Sequence, residues 1–121
     1  MKKLLKIIII LNIIFNLNAE KLYSEEKIKI GLLVPITGQD SKIGKSIVNS
    51  IRMAVNKINS PFLEIILKDT RSDPVSTLES AKELYANNVK IIIGPIFNKN
   101  LIYLDELKDV IFLSLTNKNI D

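Results

Sequence analysis

The stretch that decides the fold is residues 27–59, KIKIGLLVPITGQDSKIGKSIVNSIRMAVNKIN. An apolar run of strand-forming residues ends in a Pro/Thr/Gly loop, and the loop opens directly into an amphipathic helix. A tight loop between a strand and a helix N-terminus gathers unpaired backbone N–H groups and the positive end of the helix dipole. That geometry suits the capture of an anionic group, so function is first sought there.

The alternation of strand and helix continues along the chain. Four short apolar runs rich in Ile, Leu and Val are each bounded by turn residues, as strands buried on both faces of a parallel sheet should be. These runs are residues 28–34, 63–67, 89–93 and 110–115. Helical patterns separate them, which predicts an α/β fold with right-handed crossovers. We expect a doubly wound parallel four-stranded sheet in the order 2-1-3-4, with three helices.

The predicted helices carry start signals and apolar stripes. The first has Asp40 or Ser41 as its N-cap, and the second has Asp73 as N-cap with Pro74 at its first position. The third is predicted over residues 100–108. The side chains expected to face inward are Val75, Leu78, Ala81 and Tyr85 in the second helix, and Leu101, Leu104 and Leu107 in the third.

The first 19 residues have the pattern of a secretory signal peptide. Three lysines precede residue 7, an apolar run follows, and residues 17–19, Leu-Asn-Ala, form a small-residue cleavage site. The alternative is an uncleaved anchor, but the run is shorter than the roughly 18 to 20 apolar residues of a spanning helix, and Asn12 and Asn16 interrupt it. We expect residues 1–19 to be removed after Ala19, a short linker over residues 20–26, and a periplasmic or secreted protein.

Composition excludes several classes of function. Three of the 17 basic residues and none of the 13 acidic residues precede Ala19, so the rest of the chain carries a net charge of about +1. No clustered basic face of the kind that nucleic acid requires is visible. The absence of Cys and His removes disulfides, thiol nucleophiles, the usual zinc ligands and the commonest general base. We therefore predict no enzyme activity, no metal and no cofactor.

Two motifs that look functional have simpler interpretations. Residues 38–46, GQDSKIGKS, look like a phosphate-binding loop, but five residues rather than four separate its first Gly from the GKS. Asp69 and Asp73 form a close pair of carboxylates. We interpret Asp73 as a helix cap and Asp69 as the end of a strand in a polar turn.

The order and spacing of these segments resemble a known family. The run LLVPITGQDSKIGKSIVNSIRMAVNKIN, then LKDTRSDP, then NNVKIIIGP and VIFLSLTN, is similar to the N-terminal lobe of the type I periplasmic binding proteins. The closest branch contains the leucine/isoleucine/valine-binding proteins of ABC transporters. The resemblance covers residues 27–117. It implies that residues 27–121 are a partial N-terminal lobe, and that the second lobe, which closes over the ligand, is missing.

The resemblance also implies a ligand site. In that family the ligand lies between two lobes, at the carboxyl ends of the strands. Thr116 matches a threonine that binds the ligand carboxylate, and Ser114 matches a residue that offers backbone contacts. Asn98 stands where a serine is expected. Ile43 matches an apolar or aromatic position that packs on the ligand side chain.

Two functions are compatible with the resemblance. The first is a substrate-binding protein that captures an amino acid, branched-chain or similarly small, and delivers it to a membrane ABC permease. The second is a penicillin-binding protein activator of the same fold, which contacts a cell-wall synthase, because GPIFNKN and LSLTN also resemble that group. Asn98 favours the second function, since it replaces a ligand-binding serine, whereas Thr116 favours the first.

Overall fold

A computed structural model describes residues 1–19 and 26–116 of the chain, with residues 14–19 described as backbone only. The first element is the helix α1, Lys2–Ala19, whose described apolar side chains are exposed. Within the described residues, no helix combines the length and apolarity that crossing a membrane requires. The predicted linker over residues 20–26 lies almost wholly outside the described residues.

The sheet has four parallel strands: β1 (Ile28–Val34), β2 (Leu63–Asp69), β3 (Ile91–Ile93) and β4 (Ile111–Leu113). Their order is β2-β1-β3-β4, so the predicted fold class and strand order are confirmed. β1 pairs over its full length with β2, from Ile28 opposite Leu63 to Val34 opposite Asp69. Only three residues of β1 pair with β3, and β3 pairs with β4 over three residues.

The helix α2, Ser41–Ile58, covers one face of the sheet. Asp40 is its N-cap residue but makes no side-chain capping hydrogen bond, and the helix ends at Asn59 in the left-handed conformation. Ile47, Val48 and Ile51 pack against the buried side chains of Leu32, Val34 and Ile96. The apolar stripe predicted for this helix therefore faces β1 and the loop that follows β3.

The helix α3, Pro74–Ala86, covers the opposite face. Its predicted N-cap is confirmed, because the Asp73 carboxylate accepts a hydrogen bond of 2.8 Å from the backbone N–H of Ser76. Ala81 is buried as expected, but Val75 and Tyr85, which were also expected to face inward, are exposed. Leu84, which was not expected to face inward, is fully buried. Leu84 shares a helix face with the buried Thr77 and Ala81 and packs over Gly31 of β1, where a Cβ would lie 2.7 Å from Leu84 Cδ1.

The third predicted helix takes a different form. Two short 3₁₀ helices, Asn98–Leu101 and Leu104–Glu106, replace a single helix over residues 100–108. Leu104 is buried, and Leu101 and Leu107 pack on the same core, so their inward orientation is confirmed. The three leucines do not share one helix: Leu101 ends the first 3₁₀ helix, Leu104 begins the second and Leu107 follows it.

The two faces of the sheet are covered unequally. On the α3 face, Leu33, Leu84 and Ile92 belong to a core that extends to the 3₁₀ helices. On the α2 face, the outer strand stays open, with Ile111 61% and Leu113 51% exposed. Among the described residues, no strand pairs with the outer edge of β4.

Candidate functional site

The loops that carry the predicted binding residues meet at one edge of the sheet. Because the four strands are parallel, the segments that follow them all leave from the same side, which we call the carboxyl edge. The edge consists of residues 35–40 after β1, residues 70–73 after β2, residues 94–100 after β3 and residues 114–116 after β4. The N-terminus of α2 reaches the same edge, since the loop after β1 leads directly into it.

Asp69, the last residue of β2, accepts four hydrogen bonds at the carboxyl edge. Its Oδ1 accepts hydrogen bonds from the backbone N–H groups of Ile36, at 2.8 Å, and Arg71, at 2.9 Å. Its Oδ2 accepts one of 2.6 Å from the Thr37 hydroxyl. Partial burial acts to raise the pKa of the carboxyl, but the hydrogen bonds from Thr37, Ile36 and Arg71 outweigh it and hold the pKa below its usual 3.8.

The loop after β1 therefore already binds an anionic group, the carboxylate of Asp69. The backbone N–H groups of Ile36 and Thr37 are the donors that the strand–loop–helix geometry offers, and both point to Asp69 Oδ1, at 2.8 and 3.4 Å. The interpretation of Asp69 as a polar turn residue accounts for its hydrogen bond to Arg71. The sequence did not predict that Asp69 would also connect the loops after β1 and β2.

Ile43 lies in the first turn of α2 and is 44% exposed. The next residue, Gly44, is buried, and a Cβ built on it would lie 1.7 Å from the carbonyl oxygen of Pro35. Only glycine lets the helix approach the loop after β1 so closely. Ile43 precedes this contact in the first turn of α2, and its side chain is partly exposed.

Asn98 is exposed at the start of the first 3₁₀ helix. The loop before it leaves β3 through Gly94, which has φ +106° and precedes a cis peptide bond to Pro95. A Cβ on Gly94 would lie 2.2 Å from the carbonyl oxygen of Leu33. Glycine is thus required by both conformation and space where the chain turns towards Asn98.

Ser114 and Thr116 are brought together after β4. The backbone N–H of Thr116 donates to Ser114 Oγ at 3.3 Å, and that hydroxyl donates to the carbonyl oxygen of Pro95 at 3.4 Å. The backbone N–H of Leu115 donates to the same oxygen at 3.0 Å. These bonds join the loops after β3 and β4. Ile43 and Asn98 belong to other segments of the edge, so the four predicted residues come from three separate segments.

The four predicted binding residues bring two hydroxyl groups, a carboxamide and an apolar side chain to this edge, beside the carboxylate of Asp69. Within residues 1–19 and 26–116, no group of three or more His, Cys, Asp or Glu side chains is placed to hold a metal ion. A cavity of about 510 Å³ lies elsewhere, at the opposite edge, and its lining residues are Glu26, Lys27, Ile28, Lys29, Glu64, Asn88, Lys90 and Ile91. None of the four predicted binding residues lines it.

Comparison with known proteins identifies the family. A family model described as "Periplasmic binding protein" matches residues 27–108, more than half of the chain. The chain therefore belongs to the periplasmic binding protein family. An uncharacterized protein of Rickettsia prowazekii is 26% identical over 96 residues, which are 77% of this chain and 26% of that protein.

Solved structures share the fold. A leucine-binding protein of Thermotoga maritima is 25% identical, with a TM-score of 0.58 over 62% of this chain and 23% of that one. A solute-binding protein of an ABC transporter from Rhodopseudomonas palustris, in complex with 3,4-dihydroxybenzoic acid, is 33% identical, with a TM-score of 0.59 over 63% and 22%. The C-domain of LpoA from Haemophilus influenzae, a regulator of PBP1A, is 21% identical, with a TM-score of 0.60 over 71% and 27%.

The chain spans about a quarter of the length of these relatives. The similarity to LpoA, at 21% identity, shows the fold alone. The two solute-binding proteins are 25% and 33% identical, over 62% and 63% of this chain.

Proposed function

We propose that this chain supplies one wall of the ligand cleft of a solute-binding protein that serves an ABC transporter. The solute is a small amino-acid-like compound, either a branched-chain amino acid or a similar carboxylate. The observation that carries the proposal is the position of Ile43, Asn98, Ser114 and Thr116 at one carboxyl edge. The proposal is supported by the relative that binds leucine and by the relative in complex with 3,4-dihydroxybenzoic acid, since both ligands are small carboxylates.

Each residue has a role in the proposed cleft. Thr116 and Ser114 bind the carboxylate and ammonium groups, since they lie together in the loop after β4. Asn98 donates a hydrogen bond to the solute from its side-chain amide, where the family has a serine hydroxyl. Ile43 gives apolar contact to the solute side chain, and its 44% exposure leaves surface to bury.

Export and delivery follow from the same proposal. The family implies a periplasmic location. We assign residues 1–19 as the export signal, cleaved after Ala19, and residues 27–121 as a partial N-terminal lobe. The partner is the membrane permease of an ABC transporter, which receives the solute.

A titration followed by NMR tests the proposal on the chain itself. Leucine, isoleucine, valine and 3,4-dihydroxybenzoate are added separately to the ¹⁵N-labelled protein. We expect saturable amide shifts at Asn98 and Ser114 for at least one solute, with a Kd on the order of 1 mM, because one wall offers only part of the contacts of a closed cleft. Asn98→Ala should weaken the response, whereas Asn56→Ala, at an exposed position of α2, should not. Shifts that miss the carboxyl edge for every solute would contradict the proposal.

A second candidate function is regulation of a cell-wall synthase. It is favoured by Asn98, which occupies the position of a ligand-binding serine, and it accords with the fold shared with LpoA. Biolayer interferometry against a purified bifunctional cell-wall synthase distinguishes the two functions. Saturable binding to the synthase, weakened by Asn98→Ala and accompanied by no solute shifts, would favour regulation. Solute shifts without synthase binding would favour transport.

A further inference from the structure

A small apolar groove lies between α2 and the edge strand β2, on the face of the sheet that α2 covers. Its volume is about 220 Å³. Six apolar side chains line it, three from the helix and three from the sheet: Val48, Ile51 and Val55, and Leu32, Ile65 and Leu67. Leu67 is 39% exposed, and the three helix residues are half-buried, so the groove is open to solvent.

The periodicity of both elements brings these side chains together. Along α2 the lining positions 48, 51, 52 and 55 follow the spacing of one helix face. Ile65 and Leu67 point to the same face of β2, because side chains alternate along a strand, and Leu67 is the register partner of Leu32 in β1. The helix packs mainly against β1, which leaves the space above β2 only partly filled.

Arg52 also lines the groove and gives it a positive charge. Its side chain is exposed, and no described residue forms an ion pair or a hydrogen bond with it. The helix as a whole adds to this charge, since its sequence, SKIGKSIVNSIRMAVNKI, has four basic residues and no acidic one. A guanidinium is planar, stays charged and offers paired donors that match a carboxylate.

We propose that this groove binds a small monocarboxylate with a compact apolar body, such as a single ring, and that Arg52 pairs with the carboxylate. An engineered protein cavity of about 150 Å³ binds benzene. The groove, at about 220 Å³, therefore has room for one ring and a carboxyl group. Residues 48–55 span only about 10 Å of helix, which suits a single ring better than a peptide helix.

The proposed site is separate from the carboxyl edge. None of Ile43, Asn98, Ser114 and Thr116 lines the groove. Burial of the ring against the aliphatic side chains supplies most of the binding, and the pair with Arg52 selects a negatively charged ligand. The proposal does not depend on the transport function.

Methyl NMR on the full chain tests the proposal, with benzoate as the probe. We expect saturable shifts of the Val48, Val55 and Leu67 methyl groups, with a Kd on the order of 1 mM. Benzyl alcohol, which has the ring without the charge, should bind at least about threefold more weakly. Acetate, which has the charge without the ring, should leave these methyl groups unshifted.

Three results would overturn the proposal. The first is the absence of saturable shifts at the groove with benzoate, and the second is equal affinity for benzoate and benzyl alcohol. The third is a shift of the same methyl groups that follows protein concentration without benzoate, which would assign the groove to a second copy of the chain.

A pair of variants tests the part of Arg52. Arg52→Gln should weaken benzoate binding by at least about threefold and abolish the preference over benzyl alcohol. Lys57→Gln removes an exposed charge from the same helix that does not line the groove, and it should change the affinity little. Equal effects of the two substitutions would contradict the pairing with Arg52. Amide shifts at Asn98 and Ser114 report the carboxyl edge separately, so failure of this proposal is distinguished from failure of the proposed function.

Discussion

Thr37 and Asp69 are joined across the carboxyl edge by a hydrogen bond of 2.6 Å from Thr37 Oγ1 to Asp69 Oδ2. The two residues end or follow neighbouring parallel strands and are 32 positions apart in the chain. Asp69 also accepts from the backbone of Ile36 and Arg71, so one carboxylate organises the loops after both β1 and β2.

Removing the Thr37 hydroxyl should loosen this connection. Thr37→Val keeps the shape of the side chain and deletes the donor to Asp69, so we expect the free energy of unfolding to fall by about 1 kcal/mol. Urea unfolding monitored by circular dichroism measures the change. Thr37→Ser, which restores a hydroxyl, should recover most of it. Equal losses in the two variants would mean that the hydrogen bond contributes nothing.

The same carboxylate predicts a pH dependence of stability. The pKa of Asp69 in the folded protein lies below its usual 3.8, because the hydrogen bonds that it accepts outweigh the effect of partial burial. Its contribution is therefore fully present above the unfolded pKa, and it is lost as the pH falls through the lower pKa of the folded protein. Urea midpoints from pH 7 to pH 2 should show that the advantage of the wild type over Asp69→Asn shrinks below about pH 4. An advantage that stays constant over that range would contradict the assignment.

Gly44 should tolerate no side chain. A Cβ there would lie 1.7 Å from the carbonyl oxygen of Pro35, so Gly44→Ala must displace the first turn of α2 or the loop beneath it. We expect a loss of about 1 to 3 kcal/mol, although alanine is the better helix former. Thermal unfolding measures the loss. Ser50→Ala, at an exposed position of the same helix, should change stability little. A Gly44→Ala variant as stable as the wild type would show that α2 does not approach the loop so closely.

Leu104 should anchor the 3₁₀ segment to the core. It is 4% exposed and belongs to the core beneath α3, so Leu104→Ala should destabilise the protein by about 2 to 5 kcal/mol. Ile102 in the same segment is 66% exposed, and Ile102→Ala should cost little. Chemical denaturation of both variants measures the difference. Similar losses would show that the segment does not pack as described.

The sequence predicted the fold class because apolar runs and helix caps are local signals, and it predicted the strand order because 2-1-3-4 is a common order in doubly wound sheets. It also predicted that Leu101, Leu104 and Leu107 face inward. It did not predict the 3₁₀ form, because a spacing of three residues fits one face of either helix type. It placed Tyr85 inward where the structure buries Leu84, because the two residues follow Ala81 by four and three positions and both spacings fit one helix face.

The candidate site could be predicted only in part. Resemblance to a family selected Ile43, Asn98, Ser114 and Thr116, which lie at the carboxyl edge. Their roles in binding stay predictions. The contacts of Asp69 could not be predicted, because a bond to a residue 32 positions away leaves no local pattern.

The exposed outer edge of β4 should make the stability of this chain depend on protein concentration. Ile111 and Leu113 are more than half exposed, beside a strand edge whose outer side no described strand occupies. Two molecules that meet along such an edge gain both backbone hydrogen bonds and apolar burial. Association of this kind favours the folded form by mass action. The unfolding midpoint should therefore rise with protein concentration, and its value at infinite dilution belongs to the single chain.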